Sequence, residues 1–233
     1  MKSKEFVNEA PLPVDWDKEK LSLNQTFKDR LGYALDRAKR IGGGSSRVAM
    51  IIEYEGRPTV LKVAKNKKGL AQNEAEIDIL KDGYIGRLPI VIPLIDYDKT
   101  NRQPVWLQTE LARKVSSHTL RKLLHTPSMW LLADKVKNIL GFKNPSYSDE
   151  YIRQHYFTSY NNLWKPTEED WNIFNEYASE ITDLVNSSGV DINDLERASN
   201  WGVYNSRPVV IDLGFTDVTK ALYVKNFVKG SIK

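Results

Sequence analysis

The most constraining feature of this sequence is a pair of apolar runs, rich in β-branched residues, on either side of a short charged turn. The runs cover residues 48–54 and 59–64, and the turn between them is Glu55-Gly56-Arg57-Pro58. Glycine and proline between two such runs are typical of a β-hairpin. The N-terminal half is therefore predicted to contain an antiparallel sheet.

Segments of helical composition flank this hairpin. Residues 1–22 combine prolines with many charges and are predicted to be an extended lead-in, whereas residues 24–40 are predicted to form a helix. After the hairpin, residues 70–81 have helical composition, and apolar runs at 90–95 and 105–109 flank a polar turn. The predicted order is helix, strand, strand, helix, strand, strand.

The C-terminal half is predicted to be mainly helical up to a last β-hairpin. This hairpin joins residues 202–204 to residues 209–213 through the turn Asn205-Ser206-Arg207-Pro208. Helices are expected at residues 120–124, 129–140, 150–157 and 168–186.

The amino-acid composition argues against several classes of function. The chain has no cysteine, which excludes disulfides and thiolate metal sites, and its three histidines have no zinc-site spacing. No stretch reaches the roughly 18 apolar residues of a membrane span, so we expect a cytoplasmic protein without a membrane partner. The net charge is +4, but the basic residues are interspersed with acidic ones, which does not favour nucleic acid as a partner.

A glycine cluster precedes the first hairpin strand, in the segment Ile41-Gly42-Gly43-Gly44-Ser45-Ser46-Arg47-Val48. Glycine lets backbone N–H groups approach phosphate oxygens, and Lys62, eighteen residues after Gly44, can neutralise phosphates from the next strand. The alternative is an ordinary turn with a surface lysine. Apolar neighbours imply that Lys62 is buried, and a buried ammonium needs a partner, for which the next helix offers Glu74 and Glu76.

A second constellation lies near the C-terminus. Asp212 ends an apolar run before Leu213-Gly214, and Asn200 stands twelve residues earlier, on the other side of the predicted hairpin. A carboxylate and an amide oxygen in this arrangement are suited to hold Mg²⁺ against phosphates. The alternative is that Asp212 caps a turn.

Taken together, these residues resemble the protein-kinase-like superfamily, and more closely the small kinase-like proteins encoded by bacteriophages. The resemblance covers roughly residues 40–112 and 170–218, with the stretches GGGSSRV, VLKVAKNKKGLAQNEAE and NWGV…VVIDLG. It implies a bilobal α+β fold, with a five-stranded antiparallel N-lobe and one helix in residues 41–112. A reduced, mostly helical C-lobe with a metal-binding β-hairpin would follow in residues 113–233, and residues 1–40 would be an N-terminal extension.

The resemblance also implies ATP and Mg²⁺ as cofactors and assigns roles to individual residues. Arg47 stands where the third glycine of the phosphate loop is expected, Glu76 is selected over Glu74 as the partner of Lys62, and the hinge is placed near Glu110 to Ala112. Nucleotide contacts are assigned to Gly42, Gly43, Gly44, Ser45, Lys62, Glu110 and Ala112, and metal contacts to Asn200 and Asp212.

The departures from the kinase pattern concern catalysis. The kinase aspartate that orients the attacking hydroxyl lies five residues before the asparagine, but that position is Leu195 here. The nearest acids are Asp194 and Glu196, and Asp194 takes the role of base if the loop has one extra residue. Only nineteen residues follow Gly214, so the helices on which kinases dock peptides are not expected.

Two hypotheses follow. The first is a phosphotransferase to an alcohol group, with Lys62, Glu76 and Asp194 as its catalytic residues. The second is an inactive pseudokinase that serves as a phage-encoded interaction or virion structural protein. The partners expected are a nucleotide and a host or phage protein, in the host cytoplasm or the virion. The aromatic residues between 113 and 170 are predicted to be core and interface residues.

Overall fold

The computed structural model describes residues 17–23, 26–158, 165–217 and 219–221. The chain forms two compact units. The first comprises Met1–Asn73 and Ile95–Leu111, and the second comprises Glu74–Leu94 and Ala112–Lys233.

A five-stranded sheet dominates the first unit. Its strands are β1 (Lys39–Gly43), β2 (Arg47–Tyr54), β3 (Arg57–Ala64), β4 (Leu94–Tyr97) and β5 (Trp106–Glu110), in the order β1-β2-β3-β5-β4. The β2–β3 pair keeps one antiparallel register from Arg47 opposite Ala64 to Tyr54 opposite Arg57. Glu55 and Gly56 between these strands both have positive φ, as a tight two-residue hairpin turn requires. The predicted hairpin is confirmed, but Arg57 and Pro58, which were predicted to lie in its turn, belong to β3 and pair with β2.

Two helices, α1 (Lys18–Leu23) and α2 (Phe27–Leu35), contribute to the core on one face of this sheet. Leu21 and Ala34 from the helices are fully buried in one cluster with strand residues that include Met50, Ile52 and Leu61. The side chain of Thr26 accepts a hydrogen bond from the N–H of Asp29 and so caps α2.

Two predictions in this region are wrong. Residues 18–22 are not extended but belong to α1, because Asp17 accepts hydrogen bonds from the N–H groups of Glu19 and Lys20 and the core takes up Leu21. The helix predicted for residues 24–40 ends at Leu35, because Lys39 to Gly43 pair with β2 as the first strand.

Helix α3 (Lys67–Lys81) follows β3 and confirms the helix predicted there. The apolar run at 90–95 does not form the next strand over its whole length, because β4 begins only at Leu94. Its first part pairs within the second unit instead: Val210 donates its N–H to Ile90 O at 2.7 Å and accepts from Ile92 N–H at 3.3 Å.

The second unit is mainly helical. Its helices are α4 (Ser117–Leu123), α5 (Met129–Ile139), α6 (Asp149–Thr158), α7 (Glu168–Ser188) and α8 (Ile192–Leu195). A capping box of Thr167 and Asp170 begins α7, and Gly189 with φ of 66° ends it. Tyr156, Trp171 and Phe174 pack ring against ring with centroids 5.0–5.3 Å apart, which agrees with a core role for Tyr156. Tyr160 and Trp164 lie outside the described residues.

The last hairpin consists of β6 (Trp201–Tyr204) and β7 (Arg207–Val210). Asn205 and Ser206 form its turn, both with positive φ. The second strand was predicted to run to Leu213 but ends at Val210, and Arg207 and Pro208 belong to the strand and not to the turn. Asp212 therefore lies in the segment after the strand.

The α+β class and the five-stranded antiparallel sheet with one helix between its third and fourth strands are confirmed. Within the described part of the chain, no helix is long and apolar enough to cross a membrane.

Candidate functional site

The glycine cluster of the first unit contains the end of β1 and the turn into β2. Gly42 and Gly43 pair with Ala49 and Val48, and the N–H of Gly44 donates to Arg47 O at 3.1 Å. Gly43, Gly44 and Ser45 are exposed, whereas Ser46 and Arg47 are buried. We call residues 44–47 the glycine turn.

Arg47 occupies the position where a third glycine was expected. Its side chain is buried, and its guanidinium Nη1 lies 3.4 Å from Asn73 Oδ1 on α3. The bulk that Arg47 adds is therefore directed toward α3 rather than into solvent.

Lys62 lies in the middle of β3, where it is only 7% exposed. Its register partners are Ala49 and Leu107 on the neighbouring strands. Side chains alternate along a strand, so Lys62 projects from the face opposite to Leu61 and Val63, which belong to the apolar core cluster. An ammonium group thus stands on a sheet face that is largely closed to water.

Burial separates the two glutamates of α3. Glu76 is completely buried, whereas Glu74 is exposed. A buried carboxylate needs a partner and an exposed one does not. Of the two, Glu76 is therefore the residue with the burial expected of an ion-pair partner for a buried lysine.

The residues expected at the hinge lie at and just after the end of β5. Glu110 is the last residue of β5, and its carboxylate accepts from Arg57 Nη1 at 2.6 Å. Ala112 lies in the second unit, beside Arg113, whose N–H and C=O pair with Val203. The Glu110 carboxylate is thus paired with Arg57. The part of Glu110 that remains for the predicted hinge role is its backbone.

In the second unit, Asp194 and Asn200 are tied together by hydrogen bonds around α8. The side-chain Nδ2 of Asn200 donates to Asp194 O at 2.9 Å. Trp201 Nε1 donates to the next carbonyl, Leu195 O, at 2.8 Å, and Ile211 N–H donates to Asn200 O at 2.8 Å. Two side-chain donors thus hold residues 194–201 in a closed loop. A main-chain hydrogen bond connects this loop to Ile211, the residue before Asp212.

Asp194 and Asp212 lie close enough for their charges to interact. Burial, and then repulsion by Asp212, raise the pKa of the Asp194 carboxyl above its ordinary value of 3.8. Arg197 opposes this effect, with Nη1 3.4 Å from Asp194 Oδ1, but its guanidinium is largely exposed. Of the residues predicted for catalysis and metal binding, Asp194, Asn200 and Asp212 are therefore brought together.

The other two positions considered for a base lie in different surroundings. Leu195 is buried and lines a small apolar cavity with Trp201, Leu132 and Val136. Glu196 lies 3.4 Å from Lys137 Nζ, and its charge helps to raise the pKa of Asp134, after the larger effect of burial. Asp194 is therefore the nearby acid whose pKa is raised by Asp212, after the larger effect of burial.

A metal ion held here would need ligands beyond the carboxylates. In the residues described, no group of three or more His, Cys, Asp or Glu side chains is arranged to hold a metal. Asp212 and the Oδ1 of Asn200 are nevertheless hard oxygen donors, and Mg²⁺ is commonly held by one or two such groups together with phosphate oxygens and water. The donor set fits Mg²⁺ bound with a phosphate. For the alternative turn-capping role of Asp212, the contact to the N–H of Gly214 is long, with Gly214 N 3.4 Å from its Oδ1.

Sequence reasoning gave no role to Trp201 or Asp191. Trp201 is 1% exposed. A buried indole N–H requires an acceptor, so a tryptophan at this position was a signal that its side chain would bind a nearby carbonyl group. Asp191 caps α8 by accepting from Asn193 N–H, and it also binds Lys220 Nζ at 2.7 Å. Asp191 therefore joins the start of the loop to the segment that follows Asp212.

Comparison with known proteins adds little. No family model and no curated protein matches this chain. Similar solved structures include a thermostable mutant of aminoglycoside phosphotransferase APH(4)-Ia in ternary complex with ADP and hygromycin B, at 12% identity and a TM-score of 0.35, covering 76% of this chain and 66% of that chain. Its apo form has 12% identity and a TM-score of 0.34, with coverages of 79% and 70%. A ternary complex with AMP-PNP and hygromycin B has 15% identity and a TM-score of 0.33, with coverages of 76% and 66%.

This chain thus spans about two thirds of the length of those phosphotransferases. With TM-scores below 0.5, the likeness carries no weight for function, which has to be inferred from the side chains of the site.

Proposed function

We propose that this protein is an ATP- and Mg²⁺-dependent phosphotransferase that acts on an alcohol group. The proposal is carried by one observation in the second unit: the side-chain amide of Asn200 donates to the main-chain oxygen of Asp194 at 2.9 Å. Asp212 lies near enough to help raise the pKa of the Asp194 carboxyl, after the larger effect of burial. Phosphoryl transfer depends mainly on positioning and on neutralising phosphate charge, and this group of side chains suits both tasks.

Asn200 and Asp212 are the proposed metal ligands. Because the Nδ2 of Asn200 is held by Asp194 O, the planar amide fixes the direction of its Oδ1 as well. When bound, Mg²⁺ would neutralise charge on the ATP phosphates. It would also offset the repulsion between Asp194 and Asp212, which favours binding of the ion when both groups are ionised.

Asp194 is the proposed base that aligns the acceptor hydroxyl. Burial and the Asp212 charge raise the pKa of its carboxyl, which makes it a stronger proton acceptor than an ordinary aspartate. The main chain is held on both sides of the Asp194 Cα, because its N–H donates to Asp191 O at 2.9 Å and its C=O accepts from Asn200. Such support is what a positioned base requires.

The first unit is proposed to supply the phosphate contacts. Gly42, Gly43, Gly44 and Ser45 would offer backbone N–H groups, and the buried ammonium of Lys62 would neutralise phosphate oxygens, with Glu76 as its partner. This part is supported by the exposure of Gly43 to Ser45 and by the burial of Lys62 and Glu76. The backbone at Glu110 and Ala112 is proposed as the hinge that contacts the nucleotide base.

The alternative is a catalytically inactive pseudokinase that acts as an interaction or virion structural protein of a phage. It is favoured by Leu195, which fills the usual position of the base with a buried apolar side chain. It is also favoured by Arg47, which replaces the third glycine.

One experiment separates the two. Purified protein is incubated with Mg²⁺ and γ-labelled ATP, alone, with a host extract or with small alcohols, and transfer of label is followed beside the Asp212→Asn variant. Transfer by the parent and its loss in the variant support the phosphotransferase. A thermal shift with ATP but no transfer to any acceptor would favour the pseudokinase. The absence of any ATP-dependent shift, with Lys62→Ala and Asp212→Ala behaving like the parent, would exclude nucleotide binding altogether.

A further inference from the structure

Three consecutive carbonyl groups of the glycine turn are held by two consecutive residues that follow β3. Lys65 Nζ donates to Gly44 O at 2.8 Å, and Asn66 Nδ2 donates to Ser45 O at 2.9 Å. The backbone N–H of Lys65 donates to Ser46 O at 2.7 Å. The carbonyl edge of the turn therefore faces Lys65 and Asn66.

This arrangement fixes the direction of the N–H groups as well. The peptide bonds of the turn are trans, and a trans peptide places its C=O and N–H on opposite sides. The N–H groups of Ser45 and Ser46 consequently point away from Lys65 and Asn66. Successive N–H groups that point to one side form a concave anion-binding surface.

Asn66 also caps the N-terminus of α3. Its Oδ1 accepts from Gly69 N–H at 3.1 Å, and its C=O accepts from Leu70 N–H at 3.1 Å, so it is the N-cap of α3. One side chain therefore couples the start of α3 to the glycine turn. The helix and the turn are also in direct contact, because a Cβ on Gly69 would lie 2.2 Å from Ser46 O.

We propose that Lys65 and Asn66 are positioning residues that keep the glycine turn in its phosphate-binding conformation before a nucleotide arrives. The inference rests on the proposed function, in which the same turn contacts the ATP phosphates. Neither side chain has to touch the nucleotide in this role. Their contribution is to the ordering of the turn, which the ligand would otherwise have to impose on binding.

The two side chains can be altered without removing the rest of the structure. Asn66→Asp keeps an oxygen that caps α3 but loses the donor to Ser45 O, because aspartate is as good an N-cap as asparagine. Lys65→Met keeps the length of the side chain but loses the donor to Gly44 O. Lys67→Met is the matched control, since Lys67 is an exposed lysine of the same segment.

The first readout needs no ligand. Amide hydrogen exchange at residues 44–47 is expected to be faster in Lys65→Met and in Asn66→Asp than in the parent, and unchanged in Lys67→Met.

The second readout is the dissociation constant of Mg²⁺–ADP, measured by calorimetry. We expect it to rise about fivefold in each of the two variants, as for the loss of one hydrogen bond. In Lys67→Met it should stay within a factor of two of the parent value.

The possible failures are distinct. If the parent binds ADP and the variants bind it equally well, or if exchange in the turn does not change, the positioning role is overturned and the proposed function stands. If the parent binds no nucleotide, the proposed function fails and the positioning role fails with it. Faster exchange together with weaker ADP binding supports the inference.

Discussion

The side-chain amide of Asn200 donates to the main-chain oxygen of Asp194 at 2.9 Å. The side chain of the proposed metal ligand is thus anchored to the main chain of the residue proposed as the base. This coupling makes the two roles testable together. It also gives Asn200 a structural contribution that an asparagine on an ordinary surface loop would lack.

Replacement of Asn200 by aspartate should weaken both stability and the effect of Mg²⁺. The variant keeps a ligand oxygen but loses the donor to Asp194 O, so the free energy of unfolding should fall by about 1 kcal/mol. The gain in ADP affinity produced by Mg²⁺ should fall about tenfold, as for other groups that orient a metal ligand. Denaturation and calorimetry measure the two effects. Ser199→Ala is the control, because Ser199 Oγ makes only a 3.4 Å contact to Asn200.

Asp194 should make stability depend on pH. Burial, and then repulsion by Asp212, raise its pKa above the ordinary 3.8, so the folded protein holds this proton more tightly than the unfolded chain does. The free energy of unfolding therefore falls as pH rises from about 3.8 through the folded pKa, and the loss is complete above that pKa.

The variant Asp194→Asn removes this effect. It should be more stable than the parent at neutral pH, and the difference should shrink as pH falls through the same window. Loss of the ion pair with the largely exposed Arg197 should offset little of the gain. Urea denaturation between pH 4 and 8 provides the comparison, and a difference that does not vary with pH would contradict the assignment.

The glutamates of α3 should respond very differently to truncation. Glu76→Ala should lower the free energy of unfolding by about 3 kcal/mol, because a fully buried carboxylate requires partner groups, which its removal would leave unpaired. Glu74→Ala should change it by less than about 0.5 kcal/mol, because Glu74 is exposed. Chemical denaturation of the two variants tests the contrast. A double-mutant cycle of Lys62→Met with Glu76→Gln then tests their pairing, and a coupling energy near zero would refute it.

Two helical glycines should respond to alanine with opposite signs. At Gly69 a Cβ would lie 2.2 Å from Ser46 O and 3.0 Å from the Cα of Ala64, so Gly69→Ala should destabilise the fold by about 2 kcal/mol. At Gly32 in α2 a Cβ meets nothing within 4 Å, so Gly32→Ala should stabilise the fold by about 0.5–1 kcal/mol. Thermal unfolding of the pair is the measurement. Equal shifts in the two variants would show that the contact between α3 and the glycine turn is not maintained in solution.

Local patterns in the sequence were sufficient for the elements that depend on neighbouring residues. The β2–β3 hairpin follows from two β-branched runs around Gly56, and α7 begins at Glu168, where the predicted helix begins. The candidate residues near the C-terminus could also be proposed from the sequence, because Asp212 and Asn200 flank a second hairpin.

Contacts between distant residues decided the rest. Helix α1 forms because the core takes up Leu21, and Ile90 to Ile92 leave the predicted strand because they pair with Val210. The choice between Glu74 and Glu76 depends on burial. The two residues stand two positions apart on one helix, and the sequence does not show which of them is buried.

By itself, the sequence determined the α+β class, the order of most elements and a set of candidate residues, because periodicity, turns and caps act over a few neighbours. Only the tertiary structure decided which of those residues are buried, that the charges of Asp194 and Asp212 interact, and that Lys65 and Asn66 donate to the carbonyl groups of the glycine turn. The physical reason is that burial and electrostatic interaction depend on distance in space, and folding brings together residues that the chain keeps far apart.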